Sequence, residues 1–346
     1  MRFLWRWIKR AVLLILLLVI GLLSPVAYVE TMCRSPVVAD TYRPILPEAD
    51  YRPEGRTLLT YPEWHIVHAY ADYAEVIRTG DPADFGYLRS INGFWSSLCS
   101  LSQAAGGHGG IDGPTKQMVY TIGVSFSAEL LLKAAYEETL GHLATLIRGA
   151  ERAGLEDLSA TQAADYAMFL QQVPWYRWDF SRDAAALQTA ASDNFRDRER
   201  RFALGLEYRA KAAYAGVIAA AMAGMEPDAL TMRSIVTGLS RDSLAAIEGI
   251  TIIATRPEGT EIETPRYAAF TDLAKVLAAQ GGNFVEIAGN DDILFTSISD
   301  DPTMQGAIHS FARQGNPGYR HLVMIKVAAL AEALRVDSGI EHIHDY

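Results

Sequence analysis

The hydrophobic pattern of the chain begins with one uninterrupted apolar run. Residues 11–29 carry no charge, and as a helix they are long enough to cross the roughly 30 Å hydrocarbon layer of a bilayer. Basic residues are concentrated before this run, in residues 1–10, whereas acidic residues are mixed with the few basic ones after it. By the positive-inside rule, the pattern predicts a cytoplasmic basic tail, a single transmembrane helix in a bacterial inner membrane, and a periplasmic or extracellular body.

The same run has a second interpretation, a secretory signal peptide that is removed. A basic start followed by an apolar stretch is common to signals and anchors. The small residues between Ser24 and Ala27 make a poor cleavage site, and the run is longer than the apolar part of a usual signal. A retained anchor with the bilayer as its partner is therefore the favoured prediction.

Residues 30–57 have neither a helical nor a strand period. Prolines at 36, 44, 47 and 53 are spread among mixed charges. Proline removes a backbone donor and fixes its own φ angle, so such a segment does not form a continuous helix or a central strand. The sequence predicts an extended tether between the anchor and the body.

Residues 58–225 show the period of helices that bury one side. The first helix has a capping residue at Thr60 and a stop at Gly80. Its apolar stripe consists of Ile66, Tyr70, Tyr73 and Ile77. Further helices are predicted over residues 85–103, 115–148, 161–173 and 194–224. We expect an aromatic-rich antiparallel helical bundle, interrupted by a glycine-rich segment at residues 106–113.

From residue 226 the pattern changes to short runs rich in β-branched residues. Strands are predicted at residues 230–237, 250–255, 284–288, 293–298, 322–327 and 340–344. Helices are predicted at residues 242–248, 265–280 and 328–334, with a short one around 306–313. This alternation predicts an α+β domain of ferredoxin-like type over residues 226–346. No internal repeat stands out.

Composition and charge narrow the class of protein. The chain of 346 residues is 50% hydrophobic and 21% charged, which is typical of a globular body. A net charge of −10 overall, with +4 in the first ten residues, leaves −14 on the rest. An acidic body argues against nucleic acid as a partner, because neutralising phosphates needs clustered Lys and Arg. The densest basic stretch, residues 196–201, also contains Asp197 and Glu199 and is interpreted as a solvated helix face.

Two cysteines, Cys33 and Cys99, exclude a disulfide-dense scaffold and a four-thiolate metal site. In an oxidising compartment they could form one bridge. The other interpretation is two unrelated buried thiols.

The strongest metal candidate lies on the first body helix. His65, His68 and Asp72, at spacings of three and four residues, share one helix face. Imidazole and carboxylate ligands suit zinc, iron or manganese, and His142 on another helix could complete the set together with Glu138. The other interpretation is a solvated polar face opposite the apolar stripe, so no cofactor is predicted and a divalent metal is kept as a hypothesis.

Two carboxylates are weak catalytic candidates. Glu129 lies within an apolar stretch, where a carboxylate would lose its hydration and could act as a general acid or base. The favoured alternative is a buried carboxylate satisfied by an Arg or a Tyr hydroxyl. Glu138 is considered only as a neighbour of His142.

Aromatic residues are the candidates for binding an apolar ligand or a protein. The set consists of Trp64, Trp95, Trp175, Tyr176 and Trp178. The last three follow a helix at Pro174, so they form either an exposed binding lip or, as we favour, a buried cap of the bundle. The C-terminal group of Glu341, His342, His344 and Asp345 alternates along a predicted strand, where His342 and His344 form either a metal pair or part of one polar face.

Several short segments carry a resemblance to a known family. They are TYPEWHIV at residues 60–67, FWSS at 94–97, IGVSF at 122–126, YEET at 136–139 and HIHDY at 342–346. Through them the chain resembles an uncharacterised family of bacterial single-pass inner-membrane proteins. The resemblance implies architecture and brings no activity with it.

The sequence therefore favours a membrane-anchored envelope protein that binds other envelope proteins or an apolar ligand. The alternative is a metal-dependent enzyme centred on His65, His68 and Asp72. A third hypothesis, carriage of a lipid, requires an apolar cavity lined by the tryptophans.

Overall fold

The computed structural model describes residues 2–148, 152–190, 192–222 and 230–344. The chain begins with one long helix, α1 (Arg2–Met32), in which residues 11–21 are exposed and uncharged. Residues Trp5–Met32 are long and apolar enough to span a membrane, and so, by length and composition alone, is the helical stretch Gly113–Ile147. The second stretch is about one third buried and contributes to the core of the body.

The last turns of α1 are part of the body. Val29 and Cys33 are buried in the same apolar cluster as Trp95 and Phe126. A disulfide joins Cys33 to Cys99 with 5.0 Å between their Cα atoms. The bridge fixes the end of α1 to the bundle.

The proline-rich segment has little regular structure, as predicted, but it lies against the body. The Val38 backbone accepts a hydrogen bond from Gly109 and donates one to Gly106. Further along, the backbone N–H groups of Ile45 and Leu46 donate to the carboxylate of Glu286. These contacts satisfy backbone groups that a free tether would leave to water. The segment ends in the short helix α2 (Glu54–Leu58).

The predicted helical region is confirmed as a helical body. Its helices are α3 (Tyr61–Thr79), α4 (Tyr87–Ala105), α5 (Gly113–Tyr136), α6 (His142–Arg148), α7 (Gly154–Leu170), α8 (Phe180–Ala190) and α9 (Phe195–Met222). A π-helical turn at Glu137–Gly141 joins α5 to α6. Helix α8 was not predicted, and Thr60 does not cap α3, because its hydroxyl donates to the Thr57 carbonyl instead.

The basic stretch at the start of α9 was wrongly interpreted as solvated. Arg196 and Arg200 are fully buried. Arg196 binds Glu156 with 3.0 Å between Nε and Oε1, and Arg200 binds Glu137 with 2.8 Å between Nη1 and Oε1. A buried guanidinium needs such carboxylate partners, which α5 to α7 supply.

The C-terminal region consists of two antiparallel sheets. The first sheet has β1 (Thr231–Thr237), β2 (Thr251–Arg256), β3 (Gly259–Pro265) and β4 (Asn283–Ile287), in the order β2-β3-β1-β4. The second has β5 (Asp292–Ser299), β6 (Ala307–Ala312), β7 (Tyr319–Lys326) and β8 (Ile340–His344), in the order β6-β7-β5-β8. Helices α10 (Arg241–Ala245), α11 (Ala268–Ala279) and α12 (Val327–Val336) complete the region, and the predicted start at residue 226 lies outside the described residues.

One prediction in this region is wrong, and one strand was missed. The short helix predicted around residues 306–313 is instead strand β6 (Ala307–Ala312), which pairs with β7 as a hairpin. Strand β3 was missed, since Gly259 and the glutamates at 261 and 263 weaken its apolar period. Both sheets share one apolar core with α11 and α12, which includes Phe270, Leu277, Phe284, Leu330 and Ile343.

Candidate functional site

Helix α3 lies between the helical body and the second sheet, so its polar face is buried. His65, His68 and Asp72 are 3%, 4% and 5% exposed. The interpretation of this face as solvated is therefore wrong. One side of α3 packs on α7 and the body, and the polar side meets side chains of β6, β7 and β8.

A buried arginine on β7 organises this junction. Arg320 is 2% exposed, and its Nη1 lies 2.7 Å from Oδ1 of Asp72. Its Nε donates to Glu341 at 2.9 Å, and the Gln314 backbone N–H donates to the second oxygen of Asp72 at 2.9 Å. Burial lowers the pKa of Arg320, but Asp72 and Glu341 outweigh burial and raise it, so the guanidinium stays charged. Burial raises the pKa of Asp72, although Arg320 lowers it.

Four histidines around the same junction are held neutral. Burial lowers the pKa of His65 to about 4 and that of His344 to about 3. Burial also lowers the pKa of His68 and His342 well below the usual value. Nε2 of His65 lies 2.9 Å from the Ser90 carbonyl oxygen, so this nitrogen carries the hydrogen.

The C-terminal strand supplies an aromatic stack. The Trp64 indole stacks on His342 with 3.3 Å between ring centroids, and His344 lies edge-on at 5.9 Å. His342 and His344 hydrogen-bond to Thr271 and Thr296 respectively. Among the described residues, Nε2 of His68, Nε2 of His342 and Nδ1 of His344 have no hydrogen-bond partner. Asp345, the last member of the sequence-predicted C-terminal group, lies outside the described residues.

The junction encloses only a small cavity. It has a volume of about 40 Å³ and is lined by the polar residues His65, Asp72, Ser90 and Gln314 together with apolar atoms of neighbours such as Phe311. Such a space has room for two or three water molecules, whereas small-molecule sites usually need about 300 Å³ or more. The cavity is therefore a place for water and not for a substrate of ordinary size.

The predicted metal set is not assembled around His65. His142 and Glu138 are exposed, while His65, His68 and Asp72 are buried against the second sheet. Within the described ranges, one group of three metal-ligating side chains has donor atoms within 4.8 Å of one another, and it contains none of these five residues. The group consists of Glu54, His108 and Asp292.

Glu129 is satisfied by neighbouring side chains. It accepts a hydrogen bond from the Tyr70 hydroxyl and lies 2.7 Å from Nζ of Lys211. Lys211 and Lys133 both bind Glu207, so Glu129 belongs to a network of two lysines and two glutamates. The sequence favoured a buried carboxylate satisfied by an Arg or a Tyr hydroxyl. The Tyr hydroxyl is present and a lysine adds a positive charge, but the carboxylate is half-buried.

The aromatic candidates divide into two groups. Trp64 and Trp95 are buried, and Nε1 of Trp95 donates to Ser127. Trp175, Tyr176 and Trp178 are half-buried in and beside a 3₁₀ turn. Trp175 stacks on a tyrosine of α9, and Trp178 contacts aromatic rings of α7. In both groups the aromatic rings pack against other side chains of the protein. The second group therefore resembles a cap of the bundle more than an open binding lip.

An exposed apolar face lies elsewhere, where α9 packs beside α5 and its continuation α6. Ion pairs join Lys133 to Glu207 at 3.2 Å and Glu137 to Arg200 at 2.8 Å, so α9 runs antiparallel to α5. The outer side of this pair carries large exposed apolar residues. They are Leu131, Leu132, Leu140, Leu143, Leu146, Ile147, Phe195, Phe202, Leu206 and Val217.

Sequence reasoning missed Arg320, and it named Glu341 as a member of the C-terminal group without assigning it a charged partner. A signal was present, because Arg320 lies two residues before the predicted strand 322–327 and Glu341 lies within strand 340–344. A charge in a buried strand needs a partner from another element, and the chain offers many. Comparison with known proteins adds no further residue: no family model, curated protein or solved structure matches the chain.

Proposed function

We propose that this chain is a membrane-anchored envelope protein that acts by binding another envelope protein. Its N-terminus lies in the cytoplasm and its body outside the inner membrane, with residues 11–29 in the bilayer. The charge asymmetry around the anchor supports this orientation. The Cys33–Cys99 disulfide supports an oxidising compartment for the body.

The observation that carries the proposal is the apolar face of α5, α6 and α9. Leu132 is 75% exposed and Phe202 is 70% exposed. Along α9, Phe195, Phe202 and Leu206 recur at seven and four residues, which places them on one stripe of the helix. Large apolar patches that remain in water are typical of interaction surfaces.

The occupant we propose is an apolar helix of another membrane-anchored protein. A stripe of leucines and phenylalanines on paired helices is complementary to the apolar face of an amphipathic helix. The body is fixed to the end of its own anchor, so it lies close to the membrane surface, where helices of neighbouring membrane proteins emerge. The resemblance to single-pass inner-membrane proteins agrees with this setting.

Binding of a protein at this exposed face accounts for the structure better than binding of a lipid in a cavity. Carriage of a lipid would need an apolar cavity, and the candidate tryptophans instead contact protein side chains. The enzyme hypothesis centred on His65, His68 and Asp72 stays a prediction, and both oxygens of Asp72 accept hydrogen bonds from the protein. For the fold, the strand and helix order of the first sheet supports a ferredoxin-like unit over residues 231–287.

Site-specific photo-crosslinking in intact cells tests the proposal. A photoreactive phenylalanine analogue is introduced singly at Leu132, Leu143 or Phe202 of the full chain. The matched control is Val336, which is 76% exposed on α12, away from the face. We expect ultraviolet light to give an adduct with a second protein at the three face positions and none at Val336.

The other outcomes contradict the proposal in distinguishable ways. Adducts with lipid alone would make the face a membrane-contact surface. Adducts between two copies of the chain would make it a self-association surface. No adduct at any face position, in cells where each variant accumulates as wild type does, would show that nothing occupies the face.

A further inference from the structure

Three side chains converge where the tether enters the body. Glu54 begins α2, His108 lies in a 3₁₀ turn of the glycine-rich segment, and Asp292 begins β5. Nδ1 of His108 lies 3.2 Å from Oε2 of Glu54 and 3.9 Å from Oδ2 of Asp292. One ligand atom from each residue lies within 4.8 Å of the other two.

The Glu54 carboxylate is the feature that points to a ligand. Glu54 is 4% exposed, and within the described residues its carboxylate has a single ion-pair neighbour, Nδ1 of His108 at 3.2 Å. That nitrogen is a partner only when it carries a hydrogen. A buried carboxylate with one such partner has uncompensated negative charge, so the position favours a cation between the three groups.

The surrounding backbone holds the cluster in place. A Cβ added to Gly55 would lie 2.1 Å from the Gly110 carbonyl oxygen, so α2 and the glycine-rich segment are in close contact. The tether runs along the same segment through its hydrogen bonds at Val38. Burial raises the pKa of Glu54, contact with Glu54 raises the pKa of His108, and the negative charges of Asp292 and Asp40 add to both increases.

We propose that Glu54, His108 and Asp292 bind a divalent transition-metal ion, with zinc as the best match. One imidazole and two carboxylates are ligands that zinc accepts, and three protein ligands leave a fourth position for water. Two ligands of a tetrahedral zinc lie about 3.4 Å apart, given metal–ligand bonds of about 2.1 Å. The 3.2 Å separation already fits, and the 3.9 Å separation needs a shift of about half an ångström.

Lys326 is the competitor for this site. Its Nζ lies 2.7 Å from Oδ2 of Asp292 and 3.0 Å from Oδ2 of Asp291. The lysine side chain is 61% exposed, so it can turn into solvent when a metal takes its place. The bound ion then ties three segments together: the end of the tether, the glycine-rich segment of the helical body, and the second sheet.

The test uses the full chain, purified in detergent and stripped with a chelator. Zinc chloride is titrated at pH 7.5 by calorimetry, and bound metal is measured by mass spectrometry after desalting. We expect one zinc per chain and a rise in the melting temperature with zinc. Glu54→Gln and His108→Ala should each weaken binding by more than the roughly tenfold to hundredfold that loss of an outer partner costs. His142→Ala removes an exposed histidine on α6 and should bind zinc as wild type does.

Two results would overturn the proposal. The first is wild-type protein that retains no stoichiometric zinc and melts at the same temperature with and without it. The second is unchanged affinity in both Glu54→Gln and His108→Ala. If either variant fails to fold, as judged by circular dichroism, Asp292→Asn takes its place and decides in the same way. The Lys326→Ala variant, which removes the competitor, should bind zinc at least as tightly as wild type.

Discussion

The disulfide gives the sharpest prediction about stability. Replacing Cys33 and Cys99 with alanine opens a loop in which the two residues are 66 positions apart. In the chain-entropy model, a loop of this size contributes about 4 kcal/mol to the free energy of unfolding. We therefore expect the double variant to unfold at a urea midpoint lower by about 1 M or more. Tryptophan fluorescence of the detergent-purified protein reports the transition, because Trp95 is buried beside the bridge.

A reducing agent supplies the internal control. Wild-type protein with reductant should unfold where the double variant does, and the variant itself should not respond to reductant. A midpoint of the variant equal to that of oxidised wild type would refute the loop argument. Two free thiols in wild-type protein extracted from cells without reduction would instead show that the bridge does not form there, and would remove the support for an oxidising compartment.

Three further variants or conditions test the packing and the junction. Gly123→Ala should lower the melting temperature by an amount equivalent to about 1–3 kcal/mol, because its Cβ would lie 2.4 Å from a ring carbon of α4, whereas Gly216→Ala, in open space, should not. Arg320→Met should cost about 3–5 kcal/mol in urea unfolding, since it strands Asp72, and Asp72→Asn added to it should recover part of the loss. Burial lowers the pKa of His65 to about 4. The contribution of the neutral ring to the free energy of unfolding is therefore complete above pH 6.5, and about 3 kcal/mol of it is lost as the pH falls towards 4. Urea unfolding at pH 7 and pH 4.5 should show a smaller loss of stability for His65→Gln than for wild type.

The N-terminal apolar helix and the helical body could be predicted from sequence, the first from the length of its uncharged run and the second from the helical period of its apolar residues. Residues 11–29 lie within α1, and the predicted helix at 85–103 corresponds to α4 within two residues at each end. The missed helix α8 follows the aromatic turn and begins at Phe180. Its buried residues Phe180, Asp183, Ala184 and Leu187 have the helical period, but an aspartate and an alanine within that face leave only two large apolar residues to mark it.

The polar face of α3 was predicted to be solvated because the prediction considered only one buried side of the helix. Opposite the stripe of Ile66, Tyr70, Tyr73 and Ile77, polar residues indicate solvent only when the helix has one buried side. Helix α3 is covered on both, and the cover over its polar side comes from strands more than 200 residues later. A local pattern carries no information about such a distant partner, so His65, His68 and Asp72 were found as a set but placed in the wrong environment.

The two C-terminal sheets have the same strand order, which the sequence did not reveal. In each sheet the third strand is the neighbour of both the first and the second, and the fourth flanks the first. Helix α11 precedes β4 as α12 precedes β8, while the short α10 between β1 and β2 has no counterpart between β5 and β6. The glycines and prolines that shape the turns differ between the halves, so a repeat of topology leaves no repeat of residues.

The buried charges at the α3 junction are better explained by orientation than by stability. A buried ion pair contributes little net free energy compared with apolar packing, but it allows only the arrangement in which every charge finds its partner. Arg320 needs Asp72 from α3 and Glu341 from β8 at the same time. The pair of contacts therefore fixes the angle between the helical body and the second sheet. The disulfide joins the end of α1 to that same helical body. If α1 is the proposed membrane anchor, the apolar face on α5, α6 and α9 would therefore keep a fixed orientation relative to the bilayer, which the proposed binding to a neighbouring membrane helix requires.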